Sequence, residues 1–315
     1  MSMRVAGPSY TDSIVNQLNL LESQQYQLQN QAATGQSIQL PSDNPTGMQT
    51  ALNLQTAYSN AGQYAQNISA LQTQATTAGN AMQQLQTIVE QAGEIATSAD
   101  GTSSSSSLQA DAAQVTQLIQ QAVQVLNTQN GGQYIFGGTA SSQQPFTLTT
   151  DANGNVTAVT YNGNTSVTQN QIADNSTIAV DVPGENNTGS GPTGLVSDSR
   201  TGTNLFNDLI SLQNDLLAGN TNAISSTDAP ALSTDQNNII YQVANNGAIQ
   251  ARLNLAASAA STNQTSLQES LTNVAGANLT QTLTNLTQTQ NAYQAALQTA
   301  SSILQLKQYL LAYLS

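Results

Sequence analysis

Apolar residues recur along this chain every three or four positions over long stretches, the spacing of helices that pack lengthwise. Near the start the seam runs Ile14, Leu18, Leu21, Gln25, Leu28, Ala32. It stops at "ATGQSIQLPSDNPTGM", where Pro41 and Pro45 interrupt any helix. Asn44 ahead of Pro45 reads as an N-cap followed by proline at the first helical position. A second helix is therefore predicted from about Pro45 to Ala99, with the seam Leu71, Ala75, Ala78, Met82, Leu85, Val89, Ala92, Ala96. Gly101 and a serine run end it. A third helix follows, with Leu108, Ala112, Val115, Ile119, Ala122 and Leu126 on one face.

The period changes at Tyr134. From there to about Val182 the chain reads as short alternating runs, "PFTLTT", "NVTAVTYNG" and "STIAVDVPG". "TTDANGNVT" has hairpin-turn chemistry, with Asn153-Gly154 between β-prone flanks. A Gly/Asn/Pro loop over 184–194 leads out. Helical spacing resumes at Leu205, Leu209, Leu212 and Leu216. After a turn at "AGNTNAISSTDAP" a long helical region runs toward the C-terminus, in register through Leu279, Leu283, Leu286, Gln290, Tyr293, Leu297, Ala300 and Leu304. Upstream, Leu267, Leu271, Val274, Leu279 breaks the strict alternation, which predicts a local change of winding in a coiled coil that continues through it.

The expected fold is mainly α with an inserted β-rich domain. It divides into an N-terminal coiled-coil helix over 1–44, a helical rod over 45–133 and 201–265, the β-rich domain over 134–200, and a C-terminal coiled-coil helix over 266–315. No single helix can bury so narrow a stripe alone. The chain ends are expected to be marginal in the monomer and to fold by pairing with each other and with neighbouring subunits.

Composition narrows the function. Only 7% of the 315 residues are charged, against about 25% in ordinary domains, so the polar surface is built from Gln, Asn, Ser and Thr. Four basic residues, Arg4, Arg200, Arg252 and Lys307, stand against 17 acidic ones, for a formal charge of −13. Nucleic-acid binding, which neutralises phosphates with Lys and Arg, is not expected, nor is binding to an anionic membrane. No run of about 18 apolar residues is long enough to span a bilayer. Cysteine and histidine are absent, so disulfides, thiolate chemistry and the usual zinc and iron sites drop out, and no cofactor is expected. The N-terminal stretch has no apolar segment of the signal-peptide kind, so an exported chain is expected to leave without a cleaved leader. A neutral polar surface changes little when carboxylates protonate, which suits work in an acidic medium.

Three stretches bear on chemistry. Gly132, Gly137, Gly138 and Thr139 read G-x-x-x-x-G-G-T, near a phosphate-cradling loop. Gly138 replaces the required lysine, and the residues after Thr139 are strand-like, so a structural role is expected. Asp151, Asn153 and Asn155 resemble the start of a calcium loop, but Val156 and Asn162 occupy its glycine and acidic places; a hairpin turn is expected instead. Glu90 and Glu94, one helical turn apart, read as a solvated face with no pocket beside it. Without histidine no ordinary base activates a serine, so an enzyme is not expected. Tyr134, Phe136 and Phe146 cluster with Gly137 and Gly138 where helix gives way to strand, and are expected to pack the joint between rod and β domain.

Two motifs carry a family resemblance. Thr34, Gly35, Ile38, Pro41, Ser42, Asp43 and Pro45 fit T-G-x-x-I-x-x-P-S-D-D-P. Asn127, Gly132, Tyr134, Phe136, Gly137, Gly138, Pro145 and Phe146 fit N-x-x-x-G-x-Y-x-F-G-G…P-F. Together they resemble the hook-associated protein 3 family of hook–filament junction proteins, relatives of flagellin. The resemblance implies a flagellin-like rod with no enzymatic activity, exported through the flagellar type III apparatus with a dedicated chaperone. It also implies a ring of copies between hook-associated protein 1 and the first flagellin layer, extracellular on the flagellum. The implied assembly seam is Ile14, Leu18, Leu21, Leu28, Leu283, Leu286, Tyr293, Leu297 and Leu304. The chain departs from the family near Asn278, where an acid is usual, and at its end, "YLLAYLS". Flagellin itself and a secreted adhesin are the competing readings.

Overall fold

A computed structural model describes residues 7–99 and 101–314, with side chains described for 12–99, 101–306 and 308–309. Arg4 and the side chain of Lys307 fall outside that set. The elements in chain order begin with helices α1 (Gly7–Thr34), α2 (Pro45–Ser98) and α3 (Ser105–Leu126). Strands follow as β1 (Gln129–Asn130), β2 (Gln133–Tyr134), β3 (Phe146–Thr150), β4 (Val156–Tyr161), β5 (Asn170–Ala173), β6 (Ser176–Ile178), β7 (Glu185–Asn186), β8 (Ser197–Asp198) and β9 (Thr203–Asn204). Helices α4 (Leu205–Ala218), α5 (Thr221–Ala223), α6 (Ala229–Ala275) and α7 (Leu279–Leu314) complete the chain, with a π-helical turn over Ile224–Asp228. Contacts divide it into two compact units, Met1–Asn60 with Asn263–Ser315, and Ala61–Thr262.

In the Ala61–Thr262 unit every residue of the seams predicted for α2, α3 and α4 is buried, from Leu71 to Ala96, Leu108 to Leu126 and Leu205 to Leu216. The helices form because apolar stripes of this spacing bury against one another. Their ends are set locally: Ser104 Oγ accepts from Ser107 N at the start of α3, and Gly219, at φ 69°, takes the left-handed turn that closes α4. Amides do much of the cross-linking that ion pairs do elsewhere. Gln72 donates to Asn254 Oδ1 at 2.8 Å and Gln250 to Ala75 O at 3.3 Å, tying α2 to α6. Gln213 of α4 is fully buried; its Nε2 donates to Val156 O at 3.1 Å, while its Oε1 accepts from Val156 N at 3.1 Å and Thr116 Oγ1 at 2.9 Å. The side chain thus pairs with β4 as a neighbouring strand would.

The β region of this unit is four small separate sheets, three of them hairpins (β1–β2, β3–β4, β5–β6). The predicted turn at Asn153-Gly154 joins β3 to β4: Asp151 Oδ1 accepts from Asn153 N and Asn155 N, and Gly154 sits at φ 88°. In the fourth sheet β8 pairs parallel with β7 and antiparallel with β9. Here Asp198, its side chain wholly enclosed, meets Arg200 at 2.6 Å. Arg200 also donates to Gly191 O at 2.9 Å and Pro192 O at 3.1 Å, so one guanidinium closes the loop. The Arg200 hydrogen bonds hold the Asp198 carboxyl at about 2, below its ordinary 3.8. That contribution to stability is complete above the ordinary value and is lost as the pH falls through about 2. Arg200→Ala leaves an enclosed carboxylate without its cation. Amide exchange at Gly194 and Gly202 should then rise while α3 stays protected; unchanged exchange would show the pair to be dispensable.

Two expectations are corrected here. The stretch read as a turn at "AGNTNAISSTDAP" turns only around Gly219 and Asn220, and is helical again from Thr221. The π turn over Ile224–Asp228 widens the backbone just before Pro230, whose ring and missing N–H would disturb a regular helix interior. The slip between Val274 and Leu279 is a break, not a continuing coil: α6 stops at Ala275 and α7 starts at Leu279. Gly276 permits the close backbone approach there, since a Cβ would lie 2.3 Å from Thr272 O.

Candidate assembly surface

In the unit formed by the two chain ends, α1 and α7 pack along each other. The partner breaks of the two termini fix their direction. Gln36 and Gly276 form an antiparallel bridge, Ser37 N donates to Ala275 O at 2.7 Å, and Ala277 N donates to Gly35 O at 2.8 Å. The end of α1 thus lies beside the start of α7, and the pair is antiparallel. Both breaks restart on an asparagine cap: Asn44 Oδ1 accepts from Gly47 N at 2.9 Å ahead of α2, and Asn278 Oδ1 accepts from Gln281 N at 3.1 Å ahead of α7. Asp43 Oδ2 accepts from Gln39 N and Leu40 N, bracing the P-S-D-N-P turn.

The structure places the candidate seam residues on two faces. Ile14, Leu18, Leu21 and Leu28 on α1 are half-buried, as are Leu286 and Tyr293 on α7. Leu283, Leu297 and Leu304 are exposed, at 53%, 44% and 53%. The face of α7 turned to α1 carries Thr282, Leu286, Thr289, Tyr293, Ala296 and Ala300, all buried or half-buried. No α1 side chain among the described residues is fully buried, and on α7 only Thr282 is. A half-buried leucine contributes about 1 kcal/mol, whereas ordering each backbone residue costs about 1–2 kcal/mol. The pair therefore leaves part of its apolar surface uncovered, with the leucine column Leu283, Leu297 and Leu304 of α7 facing outward. Polar Gln25 and Gln290 sit half-buried at seam positions, where a polar side chain selects register at some cost in stability.

Of the joint residues, Phe136 and Phe146 are fully buried, Gly137 and Gly138 buried, and Tyr134 half-buried. Phe146 stacks at 5.0 Å on Tyr161 and 5.5 Å on Phe206. Its backbone is held by Asn127, whose Oδ1 accepts from Phe146 N at 3.0 Å and whose Nδ2 donates to Phe146 O at 2.9 Å. Tyr161 Oη donates to Phe136 O at 3.0 Å. Gly138, at φ 63°, has Asn164 O where a Cβ would go, 2.2 Å away. These glycines serve close packing, and no helix opens after Thr139 to meet a phosphate. Glu90 and Glu94 are exposed, as expected, but they line an open groove between α2 and α6 that the spacing did not foretell. No group of His, Cys, Asp or Glu that could hold a metal ion occurs among the described residues, and no described helix is long and apolar enough to cross a membrane.

Sequence reasoning missed Tyr161 and Phe206 as ring partners, Gln213 as a buried amide, and the enclosed aspartates of the π turn and α6. Only the rarity of aromatics could have flagged the first two. Nothing in the spacing marks one glutamine among dozens as buried.

Residues 11–141 match the family model described as the bacterial flagellin N-terminal helical region. No curated protein matches the sequence. Among solved structures, the fold is similar to that of a protein assigned as flagellar hook-associated in Vibrio parahaemolyticus, with 19% identity, 74% of this chain and 100% of that one covered, and a TM-score of 0.62. It is similar also to FlgL of Bacillus cereus (18% identity, 70% and 99% covered, TM-score 0.55) and of Xanthomonas campestris (16%, 69% and 98%, 0.54). The fold is of the flagellin-like class, mainly α with small separate sheets. The likeness to these structures is one of fold, and it is the fold that the resemblance drawn from the two motifs implies.

Proposed function

We propose that this protein is a structural component of the bacterial flagellum, set at the junction between hook and filament. The observation that carries the reading is the α1/α7 pair, which covers one stripe and leaves the α7 leucine column bare. Such a pair is completed by neighbours, and a polymer supplies them. Folding of the chain ends is coupled to assembly, so the monomer does not polymerise early. Copies in a ring, hook-associated protein 1 on one side and flagellin on the other are the partners, and a flagellar export chaperone covers the bare face before secretion.

Flagellin itself is a second reading, favoured by the match of residues 11–141 to the flagellin N-terminal model. Immunogold labelling of intact flagella separates the two. The junction reading expects one labelled point at the hook tip, and loss of filaments when the gene is deleted. Label along the whole filament would replace it with flagellin, and unaltered motility on deletion would reject both.

A further inference from the structure

Helix α4, the π turn and the first turns of α6 bring together four aspartates and no cation. Asp235 and Asp228 are enclosed, 0% and 1% exposed. Asp235 Oδ1 accepts from Asn204 N at 3.0 Å, and Asp228 Oδ1 from Ser211 Oγ at 2.8 Å. The second oxygen of each, Oδ2, has no hydrogen-bond partner. An ionised carboxylate in that position keeps a charge from water with half its acceptors unmet, which is costly; a neutral carboxyl is not.

Among the described residues the surroundings offer nothing else to neutralise them. The charge bearing on Asp235 is Asp208 of α4, within hydrogen-bonding reach; those bearing on Asp228 are Asp215 and Asp208 of α4. All are acids. Nearby on the chain, Arg200 is engaged with Asp198, and Arg252, further along α6, donates to Thr177 O. On α2, Glu90 is exposed and accepts from Gln86 and Gln236. The acids form no group that could hold a metal ion. The counter-ion left by this geometry is the proton.

We propose that Asp235 and Asp228 are proton-binding sites that tighten the helical core of the Ala61–Thr262 unit as the medium turns acidic. Asp208 and Asp235 share a proton, whichever carboxyl carries it donating to the other. Burial is the largest cause raising both enclosed groups, with the facing aspartates adding to it: Asp235 goes to about 8 and Asp228 to about 6, from 3.8. Folded values above the unfolded one mean that folding takes up protons. The resulting stability is complete below the unfolded value and is lost as the pH rises, through about 6 for Asp228 and about 8 for Asp235. Asp198, held at about 2, keeps its ion pair over the same range. The device runs opposite to common acid denaturation, and it needs no histidine.

Equilibrium unfolding of the full chain from about pH 4 to about pH 9, in low and high salt, tests the proposal. The unfolding constant of the Ala61–Thr262 unit should rise with pH by up to about tenfold per unit for each such carboxyl. Salt should not remove the trend, because salt screens surface repulsion and not enclosed groups. Asp235→Asn with Asp228→Asn, which keeps the shape of the neutral acids, should flatten the profile and make the variant more stable than the wild type near pH 8. A wild type that weakens steadily from about pH 8 to about pH 4 would overturn the proposal. So would a double variant that keeps the full slope, or a slope abolished by salt, either of which assigns the effect to the net charge. Infrared spectroscopy of the wild type serves if the variant misfolds. A protonated-carboxyl C=O band should persist at about pH 6 in the folded chain and vanish on unfolding; its absence overturns the assignment.

Discussion

Leu297→Asp combined with Leu304→Asp is expected to abolish incorporation into flagella while leaving the free chain as helical as the wild type. Both side chains are exposed on α7, so the α1/α7 pair does not need them. On the proposed reading the same column meets a neighbour in the polymer, and each aspartate would then become a charge without a partner. An uncompensated charge in a covered interface costs on the order of 3–5 kcal/mol, more than a hundredfold in affinity for each contact. Leu21→Asp gives the contrast, because Leu21 is half-buried against α7. It should loosen the pair in the free chain as well, visible as faster amide exchange along α1. Circular dichroism and exchange on the secreted monomer, with electron microscopy of hook tips, read both arms. Normal incorporation of the Leu297/Leu304 variant would remove the column from the interface.

The second large effect is expected from Phe146→Ala. Its ring is fully buried between Tyr161 and Phe206, under Gly184, where a Cβ would lie 2.4 Å from the ring. Truncation removes the ring that joins β3 to α4. Losing a buried phenylalanine costs about 3–5 kcal/mol, a large share of the roughly 5–15 kcal/mol that holds a domain together. The Ala61–Thr262 unit should melt well below the wild-type temperature, with the α1/α7 pair unaffected at low temperature. A melting point within a few degrees of wild type would show that neighbouring rings refill the space.

Much of this architecture is legible in the residues. The seams of α2, α3 and α4 bury as their spacing requires, because apolar periodicity is a direct record of which helix face meets the core. Asn44-Pro45 marks the start of α2 by local chemistry alone. The break at Ala275–Asn278 was not legible as a break, since apolar spacing alone does not separate a slip in winding from a stop; the contact of Gly276 with its own helix end decides it. The faces of α7 were also merged in the sequence. Leu283 and Leu286 look equivalent in a heptad, and only the direction from which α1 approaches separates the covered column from the bare one. The aspartate cluster lay beyond reach for another reason: Asp208, Asp228 and Asp235 come from three elements, and no spacing rule links them.

Helix α7 runs for 36 residues with Lys307 as its single charged side chain. On the proposed reading, grip between copies along this helix would come from shape and dispersion, with almost no ionic component to be weakened by dissolved electrolytes. A joint built on it should bear the same torque in dilute water as in brine, where a coupling held by charge pairs would slacken.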